Sequence, residues 1–291
     1  MYYVSNPKGA TVTIFAPYDC KNNCPFCVNK KEYKDNPSFD IDRVLKSMEI
    51  MSMITPNCDF VITGGEPLAD LVLFDKLVNK VRELNLKHRG TWHKLFVNTT
   101  LPITREDIPQ LNSYAGIITG FNISRHIGKY THENSRELID LLKIPVRINC
   151  VLYTVRDAEK VIPFINEYGD YPIQFRDNYI GVNEGNVFDQ SLVYRTLLEK
   201  LSFMATPDFE TDLIPVHVET FRWNAAITDD IHFHRTTCYS KLKRTINTNI
   251  GKIEVEEIND IIINPRGEIL DDWNEFGSPL NLREYCKAIN I

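Results

Sequence analysis

Short apolar segments alternate with longer amphipathic ones along the first two thirds of the chain, and no other feature limits the possible folds as strongly. Runs such as 11–16, 59–63 and 146–152 are rich in β-branched and apolar residues, which is typical of buried strands. In 40–54 and 71–86, apolar residues recur at the spacing of one helix face. We also predict a strand at 116–124 and a helix at 157–167. Six such strand–helix units predict a parallel sheet with helices packed outside it. Because a closed barrel has eight units, we predict an α/β fold, a partial (β/α)6 TIM-like barrel.

Polar residues follow most of the predicted strands at their carboxyl ends. In barrels of this kind the active site lies at that end, where the loops after several strands meet. The polar groups concerned are a cysteine loop at 20–27, Gly64 to Glu66, Asn98 and Thr99, Ser124 and Arg125, Asn149, and Arg176. Independent segments thus indicate one common site.

The strand–helix rhythm changes after about residue 205. Strand-like stretches then dominate, at 213–223, 231–234 and 258–269. Asn264-Pro-Arg-Gly267 has the composition of a hairpin turn. We predict a barrel core over 1–205 and a small β-rich C-terminal extension over 206–291 that caps the barrel.

Composition excludes several classes of function. The net charge of −6 argues against nucleic acid as the main partner, which usually requires a basic face. No run of 18 or more apolar residues is present, so we expect no membrane span. Residues 1–10 lack the apolar stretch of a signal peptide, and we expect a cytoplasmic protein. In that compartment the seven cysteines are expected to be thiols or metal ligands and not disulfides.

Three thiols lie close together in the cysteine loop, at Cys20, Cys24 and Cys27. Thiolates are the ligands of iron–sulfur clusters, and short spacings let one loop surround one cluster. Zinc is the main alternative, but a structural zinc site needs four ligands, and the nearest other cysteine is Cys58. The spacing favours a cluster with one iron left open.

The cysteine loop, with Phe26 before its last cysteine, and the turn Gly64-Gly65-Glu66-Pro67 after the second strand resemble the radical S-adenosylmethionine (SAM) superfamily. The resemblance extends over roughly residues 11–180. It implies a [4Fe-4S] cluster on the three cysteines and SAM on the open iron. It also implies that one electron cleaves SAM to a 5′-deoxyadenosyl radical, which abstracts a hydrogen atom from the substrate.

The same resemblance suggests which residues contact SAM. Glycine lets the backbone approach the ligand closely, and Glu66 is placed to accept from the SAM amino group. The residues expected to bind the cofactor are Gly64, Gly65, Glu66, Asn98, Thr99, Ser124, Asn149 and Phe26. For Asn98, Thr99 and Asn149 ordinary capping of strand ends is the alternative interpretation, and for Phe26 it is core packing.

Candidate substrate groups are the arginines near strand ends, Arg125, Arg147 and Arg176. A guanidinium binds carboxylate or phosphate bidentately, so these residues favour an anionic substrate. A salt bridge with one of the acidic residues is the alternative. Lysines around the cysteine loop suggest docking of an acidic reductant of the flavodoxin or ferredoxin type, a solvated loop being the alternative.

The C-terminal third holds a further candidate, Cys238, which could supply a hydrogen atom to a product radical as a catalytic thiol. A small buried hydrophobic role is the alternative. His217, His232 and His234 alternate along strand-like segments, where surface or capping histidines are the simpler interpretation.

The sequence therefore predicts a single-cluster radical SAM enzyme acting on a small anionic substrate such as a nucleotide or sugar nucleotide. A radical SAM maturase of a ribosomal peptide is the alternative within enzymes. A non-catalytic iron–sulfur electron carrier or a zinc-binding module is the alternative outside them. The Gly64–Pro67 turn disfavours the last two, because neither of them needs it.

Overall fold

A computed structural model of the chain shows how the predicted units assemble. The residues it describes are 1–4, 9–16, 20–27, 38–55, 57–87, 92–131, 136–178, 191–201, 205–208, 216–221, 231–236, 241–258, 260–273 and 278–289.

Six strands form the centre of one sheet. They are β2 (Gly9–Ala16), β3 (Asn57–Gly64), β4 (Lys94–Thr99), β5 (Gly120–Ser124), β6 (Val146–Leu152) and β7 (Ile173–Asp177). Each is parallel to the next in chain order. The predicted α/β fold with a parallel sheet is confirmed, whereas the curvature of a partial barrel stays a prediction.

Helices that follow these strands in the chain pack into the main hydrophobic core. They are α1 (Ile41–Ile54), α2 (Leu71–Lys87), α3 (Ile108–Asn112), α4 (Arg136–Asp140), α5 (Val155–Ala158), α6 (Val161–Tyr168), α7 (Leu192–Leu201) and α8 (Leu282–Ile289), with 3₁₀ turns at Pro67–Ala69 and Arg105–Asp107. In α2 the buried residues are Phe74, Leu77, Val78, Val81 and Leu84. That spacing is one helix stripe, and it packs into the main hydrophobic core.

Strands from the C-terminal third extend this sheet on both sides. β10 (Ile231–Thr236) is parallel to β7, and β9 (Val216–Phe221) and β8 (Ala205–Asp208) follow it antiparallel. At the other side, β13 (Asp260–Ile263) is parallel to β2 and pairs with β14 (Ile269–Leu270). The described strands of this sheet therefore run β14-β13-β2-β3-β4-β5-β6-β7-β10-β9-β8. The division at residue 205 stays a prediction.

A second, three-stranded sheet joins the first strand of the chain to a hairpin in the C-terminal third. Its order is β1 (Tyr2–Tyr3), β12 (Gly251–Ile258) and β11 (Lys241–Thr248). β1 pairs parallel to β12, which forms an antiparallel hairpin with β11.

The hairpin turn predicted at 264–267 is confirmed, and it packs against α1. β13 and β14 pair at Ile263 and Ile269, and Gly267 has a φ of +76°. A Cβ on Gly267 would lie 2.4 Å from the Cβ of Arg43, and the Ser47 hydroxyl donates to the Gly267 carbonyl at 2.6 Å. Only glycine fits this close approach at a positive φ.

The face of the sheet opposite the main core is apolar near β2, β13 and β14. Phe15, Ile262 and Leu270 form a separate buried cluster there, and Trp273 packs against Phe15 edge to face. Successive strand residues alternate between faces, so the neighbouring Ile14 lies in the main core instead. None of the described helices is long and apolar enough to cross a membrane.

Candidate functional site

The cysteine loop lies directly after β2, at the carboxyl edge of the parallel sheet. The Cys27 amide donates to the Cys24 carbonyl at 3.1 Å, which closes a turn between the last two thiols. The Cys24 thiol donates to the backbone carbonyl of Tyr130 at 3.6 Å. Cys20, Cys24 and Cys27 are partly exposed thiols. A loop of accessible thiols at this edge has the donor chemistry that an iron–sulfur cluster requires.

The two cysteines on strands differ from those of the loop. Cys58 on β3 and Cys150 on β6 are completely buried. Burial raises the pKa of the Cys58 thiol to about 12, so it stays protonated. Both thiols are core residues, as the sequence indicates.

Within the described part of the chain, no three His, Cys, Asp or Glu side chains are grouped as ligands of a single metal ion.

Phe26 packs the cysteine loop against segments that follow the strands of the sheet. Its ring contacts His126, Tyr130 and Tyr153, and we call these four residues the aromatic cluster. The Phe26 ring is 5% exposed and lies 4.8 Å from the ring of His126, 5.5 Å from Tyr130 and 5.9 Å from Tyr153. The Tyr130 hydroxyl donates to Asp157 at 3.2 Å, at the start of α5. Phe26 thus packs against segments that follow β5 and β6.

Glu66 is held by the end of β4. Its side chain is 4% exposed. One carboxylate oxygen accepts from the Leu68 amide at 3.1 Å and from the Thr99 hydroxyl. The other accepts from the amide and the hydroxyl of Thr100, at 2.8 and 2.7 Å. A carboxylate has about four acceptor positions, so these bonds occupy its capacity. The structure thus assigns Glu66 a supporting position, and its contact with the SAM amino group stays a prediction.

Gly64 makes the turn before Glu66 possible. It ends β3 with a φ of +115°, a conformation that residues with a Cβ rarely adopt. Pro67 then opens the short 3₁₀ turn, in which the Leu68 amide donates to the Glu66 carboxylate. The sequence Gly-Gly-Glu-Pro is therefore explained locally by one left-handed residue, one buried acceptor and one helix start.

Thr100 connects three loops of the site, and the sequence did not single it out. Its hydroxyl accepts from the side chain of Asn22, in the cysteine loop, at 3.3 Å and donates to Glu66. Its carbonyl accepts from the guanidinium of Arg125 at 2.9 Å. The only sequence signal was its position directly after the predicted residues Asn98 and Thr99.

Arg125 is fully buried after the end of β5. One terminal nitrogen donates to the carbonyls of Thr100 and Ser124. Its Nε and second terminal nitrogen have no hydrogen-bond partner in the described part of the chain. Burial, and then the charge of Arg125, lower the pKa of the neighbouring His126 to about 4. His126 is therefore neutral at physiological pH, and its Nδ1 accepts from the Val151 amide at 3.3 Å.

Polar side chains line one face of the sheet from β4 to β10. We call this surface the polar face, and it consists of Asn98, Asn122, Ser124, Arg147, Asn149, Gln174, Arg176, His232 and His234. Residues opposite each other in parallel strands point to the same side, and the register pairs these residues across each strand boundary. A hydrogen bond of 2.8 Å from Asn122 to Asn98 agrees with this orientation.

The structure brings together most of the predicted site residues. Asn98, Ser124, Asn149, Arg147 and Arg176 share the polar face, and Thr99 is buried against Glu66. Their roles stay predictions. Cys238 lies outside the described residues, as does the side chain of His217.

His232 and His234 lie on the polar face, where both are partly buried instead of exposed. Their rings are 6.2 Å apart. Burial, followed by the charges of Arg176, Arg147 and His232, lowers the pKa of His234 to about 3. The sequence showed their alternation, but their pairing with β7 depends on a contact between distant segments.

Residues 5–106 match the sequence profile of a family described as "4Fe-4S single cluster domain". The matched stretch contains the cysteine loop, the Gly64–Pro67 turn and Thr100. No curated protein sequence matches the chain.

Several solved structures are similar to the chain. "Native anSMEcpe with bound AdoMet" has 22% identity and a TM-score of 0.49, over 66% of this chain and 60% of that one. "Native anSMEcpe with bound AdoMet and Cp18Cys peptide" has 22% identity and a TM-score of 0.48, over 66% and 58%. "Crystal structure of Streptococcus suis SuiB bound to precursor peptide SuiA" has 15% identity and a TM-score of 0.41, over 60% and 40%. This chain thus spans less than two thirds of each of these proteins, and likenesses of this size carry no argument about its activity.

The profile match covers both sequence motifs in their order along the chain, and the structure places both at one edge of a parallel sheet. Residues 5–106 therefore match a 4Fe-4S single cluster domain, and the three thiols of the cysteine loop lie inside the matched stretch.

Proposed function

We propose that the protein is a radical SAM enzyme that abstracts a hydrogen atom from a substrate bound on the polar face. The observation that carries this proposal is the connection made by Thr100. One residue bonds to the cysteine loop, to Glu66 and to Arg125, at the edge of the sheet where such sites lie. When bound, the cluster and SAM together supply the 5′-deoxyadenosyl radical.

The chain's own residues would hold these groups and exclude water. Cys20, Cys24 and Cys27 would bind the cluster. The backbone at Gly64 and Gly65 would lie against SAM, in a turn that the saturated Glu66 carboxylate holds in place. Phe26 and its aromatic partners would keep water from the cluster side.

The other predicted cofactor contacts fit the same site. Ser124, Asn149 and Asn98 lie on the polar face, next to the loops that follow the strands. If the sheet is curved as a partial barrel, these side chains would line its interior. Two nitrogens of the buried Arg125 lack a partner among the described residues and would suit the SAM carboxylate or an anionic substrate.

For the substrate we propose a peptide as the first class to test. The polar face crosses five strands, or about 19 Å at the usual strand spacing. That width accommodates several extended residues. A peptide substrate also agrees with a C-terminal third that contributes to the polar face through β10.

A small anionic metabolite, such as a nucleotide or sugar nucleotide, is the second candidate substrate. Arg147, Arg176 and the buried Arg125 favour it, because phosphates and carboxylates bind bidentately to guanidinium groups. An external reductant of the flavodoxin or ferredoxin type would be required for either substrate. The exposed Lys21 would contribute to its docking surface.

The proposal is tested by SAM cleavage. Cluster-loaded protein, incubated without oxygen with SAM and a chemical reductant, should form 5′-deoxyadenosine. Cys24→Ala should abolish product formation, whereas Cys286→Ala should retain it, because Cys286 is a partly exposed thiol on α8 outside the loop. A loaded protein that forms no 5′-deoxyadenosine would support a non-catalytic electron carrier instead.

A further inference from the structure

Two neighbouring amide side chains on the polar face each have one atom without a hydrogen-bond partner in the described part of the chain. They are Asn149 on β6, through its Oδ1, and Gln174 on β7, through its Nε2. The register sets these two residues directly opposite each other, and Gln174 is 1% exposed. Buried polar groups are nearly always hydrogen-bonded in folded proteins. An acceptor and a donor left open side by side therefore indicate a bound polar group.

Cationic and imidazole side chains surround this amide pair. His232 lies opposite Gln174, and Arg176 lies two residues beyond Gln174, opposite His234. Arg147 lies two residues before Asn149 on β6 and so points to the same face. Arg176, Arg147 and His232 all act electrostatically on His234, so the four groups lie near one another.

We propose that Arg147, Gln174, Arg176, His232 and His234 form a subsite for an anionic oxygen group of the substrate, a carboxylate or a phosphate. We call it the anion subsite. Guanidinium groups supply paired donors to such an anion, and partial burial strengthens the attraction relative to bulk water. The open Nε2 of Gln174 would add a donor for the same anion, and the open Oδ1 of Asn149 would face the cofactor predicted to lie beside it. This inference rests on the proposed function, because it concerns the substrate of that reaction.

The anion subsite combines residues from two parts of the sequence. β6 and β7 belong to the predicted core, whereas β10, which carries both histidines, lies beyond residue 205. The C-terminal third would thus take part in substrate recognition directly, and not only by covering the site. Peptides with acidic residues and phosphorylated metabolites share the anionic group that this subsite would recognise.

The test measures anion binding without SAM, by calorimetry on cluster-loaded protein under anaerobic conditions. The probes are a short acetylated and amidated peptide containing glutamate, and inorganic phosphate. Arg176→Gln and the isosteric Gln174→Glu should each weaken binding by about tenfold or more, because one loses a charge and the other adds a repelling one. The matched control Arg195→Gln, on the exposed side of α7, should stay within about twofold.

The outcomes separate the possible sources of the anion. Binding of the peptide alone assigns a carboxylate, and binding of phosphate alone assigns a phosphate, provided that both variants lose it. The anion subsite would be overturned if neither probe bound to the unaltered protein. It would also be overturned if both folded variants bound a probe as tightly as the unaltered protein does. Electron paramagnetic resonance of the same samples with SAM tests the proposed function separately, since it does not depend on the anion.

Discussion

At the residue scale, Thr100 is the side chain on which the geometry of the site most depends. Its amide, hydroxyl and carbonyl all make hydrogen bonds, and their partners belong to the cysteine loop, the Glu66 turn and the end of β5. Two of these bonds go to a buried carboxylate. Hydrogen bonds to charged groups contribute more to stability than neutral ones.

Thr100→Val should uncouple the cysteine loop from the Glu66 turn. It keeps the shape of the side chain but removes the hydroxyl that bonds Asn22 and Glu66. The free energy of unfolding should fall by about 1–3 kcal/mol, measured by urea denaturation. The SAM concentration needed for half-saturation should rise several-fold. Thr100→Ser retains the hydroxyl and should behave like the unaltered protein, and equal behaviour of the Val and Ser variants would contradict this role.

A second prediction at this scale concerns His126 and pH. Its pKa is lowered to about 4 in the folded protein, whereas an unfolded histidine titrates near its ordinary value of about 6.5. Below that value the unfolded chain takes up a proton that the folded protein does not. The contribution of neutral His126 to the free energy of unfolding is therefore fully present above a pH of about 6.5 and is lost as the pH falls toward about 4.

His126→Asn should remove this dependence while keeping an acceptor for the Val151 amide. Between about pH 7.5 and 5 the unaltered protein should lose about 2 kcal/mol more stability than the variant, as measured by urea denaturation. An identical loss in both proteins would show that His126 is protonated in the folded state.

The residues of the site show where sequence reasoning succeeds and where it stops. The thiols and the Gly-Gly-Glu-Pro turn were predictable, because their chemistry is written in short spacings. The support of Glu66 by Thr100 was not, because a threonine after a strand has many possible partners. His232 and His234 were interpreted as surface residues, because their pairing with β7 joins segments far apart in the chain.

At the scale of elements, the aromatic cluster explains how an irregular loop is positioned on a regular sheet. Phe26 lies between two of the thiols and packs on rings from the segments after β5 and β6. Edge-to-face ring pairs contribute beyond the burial of their area. The cysteine loop is therefore fixed by packing on one side and by the Asn22–Thr100 bond on the other.

Phe26→Leu should loosen this loop and accelerate the loss of the cluster in the presence of a chelator, followed by visible absorbance. The matched control is Phe74→Leu, because Phe74 is also buried and pairs edge to face with Tyr114 at 5.8 Å, away from the loop. Both variants should lose about 1 kcal/mol of stability. Equal rates of cluster loss in the two variants would show that Phe26 has no special part in holding the loop.

Element types were predictable from the sequence, but their ends were not. Each of the six predicted strands is present, since buried parallel strands have a strong apolar signature. The strand predicted at 116–124 begins only at Gly120, because the chain turns at Gly116, whose φ is +85°. The helix predicted at 157–167 is divided into α5 and α6, with Thr154 and Asp157 forming a capping box that starts the first.

At the scale of the whole molecule, the C-terminal third does more than cap the sheet. β13 pairs with β2, which leads into the cysteine loop, and β10 pairs with β7 and carries the two histidines. The sequence indicated strands in this region but could not indicate their neighbours, because strand pairing between distant segments leaves no local pattern. The strand before the cysteine loop and the proposed anion subsite thus both involve segments beyond residue 205.

The central claim is that a cluster on Cys20, Cys24 and Cys27 lies within reach of SAM held by the neighbouring turn. The measurement that tests it most directly is electron paramagnetic resonance of reduced, anaerobically reconstituted protein with and without SAM. We predict the signal of a reduced [4Fe-4S] cluster that changes when SAM is added, and loss of this change in the Thr100→Val variant at limiting SAM. A cluster signal that does not respond to saturating SAM, or a protein that takes up zinc in place of iron, would contradict the claim.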